Sequence, residues 1–322
     1  MKLGNTAKFF LAATIAVTAL VRAEAQTPDW AKVSPEQTAA AKKLGIPVSF
    51  ENAAGMRFVL IPAGKFKMGA GQTPAEIAKD CAMPNAHAGW FIDETPQHEV
   101  TLTKPFYMGV TEVTQGQYEK VNNLNPDPKK KKKDQPKPEY PEGYEGENKP
   151  VGKLDWNRAD QFCKKLSGQD EQRQYAIPTE AQWEYACRAG TATPFSFGDT
   201  VSTKQANYNG NYIYGTGVKG ENIEAPVVAG SLPANAWGLH EMHGNLAEIC
   251  STPYDKYTAE AKTDPTGPEK GGKHKVLRGG SWRSYPGAIR SSFRLGGNVG
   301  SYNVGFRVIS PLPEPKEEEK KE

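Results

Sequence analysis

The sequence predicts a mixed α+β domain low in regular secondary structure, and three observations carry that expectation. Strand-like apolar runs occupy the first third, two capped amphipathic stretches suited to helices lie mid-chain, and regular periodicity fades after Gly190. The last stretch is rich in Gly, Asn, Tyr and Trp, and the 32 glycines and 25 prolines among 322 residues assign much of the chain to loops. Segments of that kind cannot satisfy their backbone groups with ladders, so side-chain hydrogen bonds or bound ions are expected to hold them.

Basic Lys2 and Lys8, the apolar run Phe9 to Val21, and Ala23-Glu24-Ala25 before Gln26 read as a secretory signal over residues 1–25, cleaved after Ala25. The run is short for a membrane span, although a retained anchor is the alternative. The expected location is secreted or periplasmic, with no transmembrane span after cleavage. Losing Lys2, Lys8, Arg22 and Glu24 lowers the formal charge from +3 to about +1, so no global basic field points to nucleic acid.

Residues 26–54 form an N-terminal segment before one domain over 55–310. Phe58-Val59-Leu60-Ile61 and Phe66-Lys67-Met68 flank Pro62-Ala63-Gly64, which predicts a hairpin. His98 to Thr103 alternates as a strand. Residues 123–150 carry seven Lys, including Lys129 to Lys133, against six Asp or Glu among interspersed prolines, and read as a solvated loop insertion. Asp155 caps a helix to Leu166 that Gly168 stops, with Ala159, Phe162, Cys163 and Leu166 on one stripe. Thr179 with Gln182 is a capping-box pattern, for a helix ended by Gly190. Residues 311–322 read as a disordered polar tail.

Several motifs resemble, in order, those of formylglycine-generating enzymes, also called sulfatase-modifying factors. They are Met56 to Gly64 with Met68-Gly69, Glu94-Thr95-Pro96, Thr111-Glu112-Val113-Thr114, and Pro178 to Ala186. Asn235 to Leu239, Met242-His243-Gly244-Asn245, Arg278-Gly279-Gly280-Ser281-Trp282 and Gly305-Phe306-Arg307-Val308 complete the series. The resemblance implies a formylglycine-generating-enzyme fold, C-type-lectin-like. It also implies an oxidase that converts a substrate cysteine to formylglycine with copper(I) held by two cysteines. Those positions are Ser284 and Ile289 here. A hydroxyl is a poor ligand for soft copper(I) and Ile289 has no donor atom, so copper is not expected and no catalytic residue is assigned.

In the same segment Ser281 matches the family serine near the active centre. Trp282 offers a flat apolar surface, Ser284 a hydroxyl, and Arg283, Arg290 and Arg294 planar donors for an anion. Arg278, Arg290 and Arg307 have the alternative of bracing loops. The resemblance further implies a structural calcium over Glu241 to Glu248. Glu241, Gly244 and Leu246 would give main-chain oxygens, and Asn245 and Glu248 side-chain oxygens. The alternative is that Asn245 and Glu248 satisfy loop backbone, and the family's W-E-W is here Ala247-Glu248-Ile249. A second family calcium site near Asn207 lacks its later aspartate. His240 and His243 lack the zinc-binding H-E-x-x-H spacing, which gives them packing roles.

Cys163 and Cys187 match positions bridged in some relatives, but their partners fall on Val308 and Arg294. Buried thiols are one reading of the four cysteines and a Cys81–Cys250 pair is another. Two functions follow. One is a non-oxidising binding module for a peptide, glycan or anionic ligand, or a subunit of an envelope protein complex. The other is a formylglycine-generating oxidase. Sulfoxide synthases that share the domain need a further iron-binding histidine domain, for which 26–54 is too short.

Overall fold

The computed structural model describes residues 27–81, 85–124, 140–268, 272–297 and 300–312. The signal segment, the Lys129 to Lys133 run and the tail beyond Leu312 lie outside the described residues. Among those described, no helix is long and apolar enough to cross a membrane.

The centre is a four-stranded antiparallel sheet, ordered β1 (Ser49–Glu51), β2 (Arg57–Ile61), β5 (Phe106–Gly109), β11 (Ile309–Pro311). Successive side chains of β2 point to opposite faces. Phe58 and Leu60 join one apolar cluster with α3 (Gln115–Leu124) and α4 (Trp156–Gly168), whereas Val59 and Ile61 join a second around α5 (Glu180–Arg188). Both faces of β2 are therefore buried. That explains why the expected hairpin does not form. β3 (Gly64–Met68), whose residues are alternately exposed, pairs instead with β4 (His98–Leu102) in a separate sheet completed by β7 (Lys262–Thr263). A third sheet is ordered β10 (Val304–Gly305), β6 (Ala247–Pro253), β8 (Lys275–Arg278), β9 (Arg294–Gly297). α2 (Pro74–Asp80) flanks a smaller apolar cluster that includes Cys81, Tyr214 and Ile289.

The N-terminal segment is integral to this core. α1 (Pro35–Leu44) starts with a capping box between Ser34 and Gln37, and β1 extends the central sheet. Gln37 is fully buried and donates to the carbonyls of Leu60 and Trp237, at 2.8 and 3.1 Å. Gln37→Ala should cost about 1–3 kcal/mol in urea unfolding, because it leaves two buried carbonyls without their donor and removes a cap. At the other end, Pro311, expected at the start of the polar tail, pairs with Phe106 in the central sheet.

Both mid-chain helices form where expected. α4 is capped by Asp155 and buries Ala159, Phe162, Cys163 and Leu166, and α5 has its Thr179–Gln182 box. The left-handed step that ends α5 falls on Ala189, one residue before Gly190. From 191 to 246 there is neither helix nor strand, as the loss of periodicity after Gly190 predicted, but the six short strands β6 to β11 follow, which it did not. Side chains key this stretch in place. Asn235 donates to the final carbonyls of α5 at Ala186 and Cys187, and accepts from the Trp237 and Leu239 amides. Glu241 accepts from the Gly230 and Leu232 amides.

Candidate ligand-binding site

β8 ends at Arg278, and the chain reverses through Gly279 and Gly280, both at positive φ. A Cβ on Gly280 would lie 2.4 Å from the Ala288 carbonyl oxygen, so only glycine allows this approach. The turn carries Ser281 and Trp282, which are buried at 1% and 9% exposure and so do not offer the surface expected of them, with Ser284 half-buried beside them. The Ser281 amide donates to Ser284 Oγ at 2.9 Å, the Ser284 amide to the Ser281 carbonyl at 2.8 Å, and Asn303 Nδ2 to Ser281 Oγ at 3.2 Å. The Trp282 amide is tied to the Asn245 carbonyl.

Around Trp282 the structure assembles a string of rings and cations. The Arg283 guanidinium lies 5.6 Å from the Trp282 ring centre, and Tyr144 meets that ring edge-on at 5.5 Å. Tyr302 lies 6.3 Å beyond Tyr144, with Lys153 Nζ 4.9 Å over its ring. Lys153 has φ +58°, an uncommon conformation for a non-glycine residue. The Trp282 indole N–H is buried without a hydrogen-bond acceptor. Sequence reasoning found Ser281 to Ser284 but not Tyr144, Lys153 or Tyr302, which come from distant segments with no local signal.

The other two arginines expected here are elsewhere. Arg290 and Arg294 are almost fully buried and do not face the Ser281 turn as free donors. Arg290 grips both oxygens of Glu94, and Arg294 both oxygens of Glu180 at 2.7 and 2.8 Å. Arg278 pairs with Glu184 and donates to the Ser291, Ser292 and Phe293 carbonyls, while Arg307 forks onto Glu248 at 2.7 Å. Of the predicted anion donors, Arg283 alone remains at the surface. The bracing role applies to the others, because a desolvated guanidinium needs a matching carboxylate.

A family model described as sulfatase-modifying factor enzyme 1-like domain matches residues 46–312, which is most of the chain. The chain belongs to the sulfatase-modifying-factor family. Among curated relatives it is similar to the formylglycine-generating enzyme of Mus musculus, 31% identical over 188 residues, covering 53% of this chain and 48% of that protein. It is also similar to the inactive C-alpha-formylglycine-generating enzyme 2 of Mus musculus, 29% identical over 179 residues, covering 52% and 51%. The solved structure of PvdO from Pseudomonas aeruginosa superposes with a TM-score of 0.64 at 26% identity, covering 82% of this chain and 98% of that one. The chain spans between a fifth and about half of the length of the curated relatives it matches. The sulfatase-modifying-factor domain here thus has the α+β formylglycine-generating-enzyme fold.

Copper does not fit the two positions where the family resemblance places its ligands. Ser284 Oγ is engaged by the Ser281 amide, and Ile289 is wholly buried among Cys81, Phe91 and Tyr214. All four cysteines are free and buried, and Cys81 and Cys250 sit in different apolar clusters, so the pairing considered for them is not made. Two of the thiols approach this segment from inside. Cys81 Sγ would lie 2.0 Å from a Cβ built on Gly287, and Cys187 Sγ is 3.7 Å from both Ser291 Oγ and His243 Nε2. Burial pushes each thiol up to about 12, which keeps both protonated and poor ligands at neutral pH. His243 holds a packing role: its Nδ1 donates to the Ile289 carbonyl at 2.7 Å and its Nε2 accepts from the Ser196 amide at 3.0 Å.

The loop on which the resemblance places calcium is braced by hydrogen bonds within the protein. Asn245 Oδ1 accepts from the Val227 amide at 2.9 Å and from Asn207 Nδ2 at 3.1 Å, and its Nδ2 donates to Glu112. Both Glu248 oxygens are taken by Arg307, with Trp183 Nε1 a further donor at 2.7 Å. The Glu241 carboxylate binds two amides, and Gly244 and Leu246 complete the turn, where a Cβ on Gly244 would strike the Asn207 carbonyl at 2.1 Å. The side chains of Asn245 and Glu248, which the resemblance gives to calcium, thus carry hydrogen-bond donors in this structure. Among the described residues, no group of three or more His, Cys, Asp and Glu is placed to hold a metal ion.

Proposed function

We propose that this chain is an exported, non-oxidising sulfatase-modifying-factor protein that binds a ligand or a partner protein in the envelope through the surface around Arg283 and Ser284. The observation that carries the reading is the fully buried, purely aliphatic Ile289 paired with a hydrogen-bonded Ser284 where the family resemblance expects two copper-binding thiolates. Replacing soft ligands by an alkyl group and a hydroxyl removes the basis for holding copper(I). The residue 1–25 signal pattern supports export.

The test is to load the mature chain from Gln26 with copper(I) under reducing conditions and follow a cysteine-containing sulfatase peptide in air by mass spectrometry. The expected result is no formylglycine beside a positive control that converts the peptide. Conversion would show that other groups replace the missing thiolates and would establish the oxidase reading.

A further inference from the structure

A cavity of about 410 Å³ opens between the β3–β4–β7 sheet, the start of α5 and the loop that follows β6, and it shares no lining residue with the Arg283 and Ser284 surface. That volume suits a small molecule. The wall is apolar at Met68, Ala181, Pro253 and Pro265. Its buried polar groups mostly satisfy one another: Arg294 forks onto Glu180, Tyr257 Oη donates to Glu180 Oε1 at 2.9 Å, and Arg294 Nη1 donates to the Asp255 carbonyl at 2.6 Å. His98 is the exception. It is 5% exposed, its ring meets Tyr257 edge-on at 4.8 Å, and its Nδ1 faces the Pro96 carbonyl at 3.2 Å. A carbonyl only accepts, so Nδ1 carries the proton and Nε2 of the neutral ring is left as an acceptor. Among the described residues no group donates to that nitrogen, and His98 lines the cavity. A polar atom so buried asks for a partner.

Two cations stand at the mouth. Lys262, half-buried where β7 pairs with β4, and the exposed Lys256 both line the cavity, and neither makes an ion pair among the described residues. The carboxylates around them are engaged elsewhere. Asp264 accepts from the Thr103 amide at 2.8 Å and from the Thr103 hydroxyl, which pins the mouth to β4, and Asp255 Oδ1 accepts from the Lys256 amide at 2.8 Å. We infer that this cavity binds a small organic acid with an apolar body, whose carboxylate is held by Lys256 and Lys262 and whose hydroxyl, at the opposite end, donates to His98 Nε2. An amino acid suits it less well. Its ammonium would lose hydration at an uncharged nitrogen, with the Glu180 carboxylate already taken by Arg294. A bare phosphate would reach the lysines and leave His98 without a donor.

The test is calorimetric titration of the chain from Gln26 with 4-hydroxybutyrate, 6-hydroxyhexanoate and 4-hydroxybenzoate, each beside its analogue lacking the hydroxyl. At least one hydroxy acid should bind about tenfold or more tighter than its analogue, the margin of a hydrogen bond to a buried acceptor. In long-range proton–nitrogen NMR spectra the His98 Nε2 resonance should move on binding, which a ring with a packing role alone would not do. His98→Phe keeps a ring against Tyr257 and removes the acceptor, so it should bind the hydroxy acid and its analogue equally. Lys256→Gln, at the exposed mouth, should weaken both several-fold and keep the preference for the hydroxyl. Absence of binding in both calorimetry and spectra, equal binding of hydroxy acids and analogues by the native chain, or a preference that survives His98→Phe overturns the inference. So does tighter binding of 6-aminohexanoate or of inorganic phosphate than of every hydroxy acid.

Discussion

Glu184→Gln should destabilise the protein by about 3–5 kcal/mol, a large part of the 5–15 kcal/mol that holds a typical domain folded. Glu184 is fully buried on α5. One of its oxygens accepts from the Gly69 amide and from Arg188, both at 2.9 Å, and the other pairs with Arg278. Burial alone would raise its carboxyl, but Arg278 and then Arg188 outweigh that and hold it below the ordinary range, so it stays ionised. The amide keeps the shape and removes the charge, leaving two desolvated guanidiniums facing a neutral group. Glu180 cannot take over, since its two oxygens grip Arg294 and it lies 3.8 Å from Arg278 Nε. Urea unfolding of the variant measures the loss. The double variant Glu184→Leu with Arg278→Met, which removes both charges of the pair, should lose less than the sum of its single variants. Additive losses would mean that the two groups act independently.

Mild acid should weaken the fold through His243, by up to about 3 kcal/mol between pH 6.5 and pH 4. Burial, opposed by the Ile289 carbonyl, pushes the imidazole down to about 4. The unfolded chain therefore binds a proton in that interval that the folded chain refuses. The stabilisation is complete above the unfolded value near 6.5 and is lost as pH falls toward the folded one. Glu241 works in the opposite direction, because burial lifts its carboxyl to about 7, so the folded state takes up a proton there more readily than the unfolded one. The slope of the native protein alone is thus a sum. The difference between the native protein and His243→Gln isolates the histidine, and the variant's stability should rise relative to the native protein as pH drops from 6.5 to 4. Parallel curves would show that His243 does not titrate between the two states.

What was legible in the sequence had local causes. The capping box of α5 and the Asp155 cap of α4 lie within four residues of the groups they satisfy. The β2–β3 linkage misled because Pro62-Ala63-Gly64 carries turn chemistry, while the choice of strand partner depends on two-sided burial of β2 that no short window reveals. The arginines were ambiguous for the same reason. Their carboxylates lie far along the chain, 196 residues from Arg290, 114 from Arg294, 94 from Arg278 and 59 from Arg307. A cationic side chain beside G-G-S-W looks like an anion site until the folded chain supplies its partner. Tyr144 and Lys153 were hidden likewise, the first inside and the second just after a lysine-rich insertion that reads as solvated loop.

The keyed stretch from 191 to 246 has a consequence for how such a domain can change. Its course is set by a few inward-facing amide and carboxylate side chains, chiefly Asn207, Asn235, Glu241 and Asn245, each binding backbone or another anchor. Between anchors, as from Gly215 to Glu224, no ladder fixes spacing or composition. Such intervals can lengthen, shorten or exchange residues without moving the core, much as rope slack between fixed pins can be redrawn. A chain built this way can change its outer surface by drift in one interval with little constraint from the need to fold.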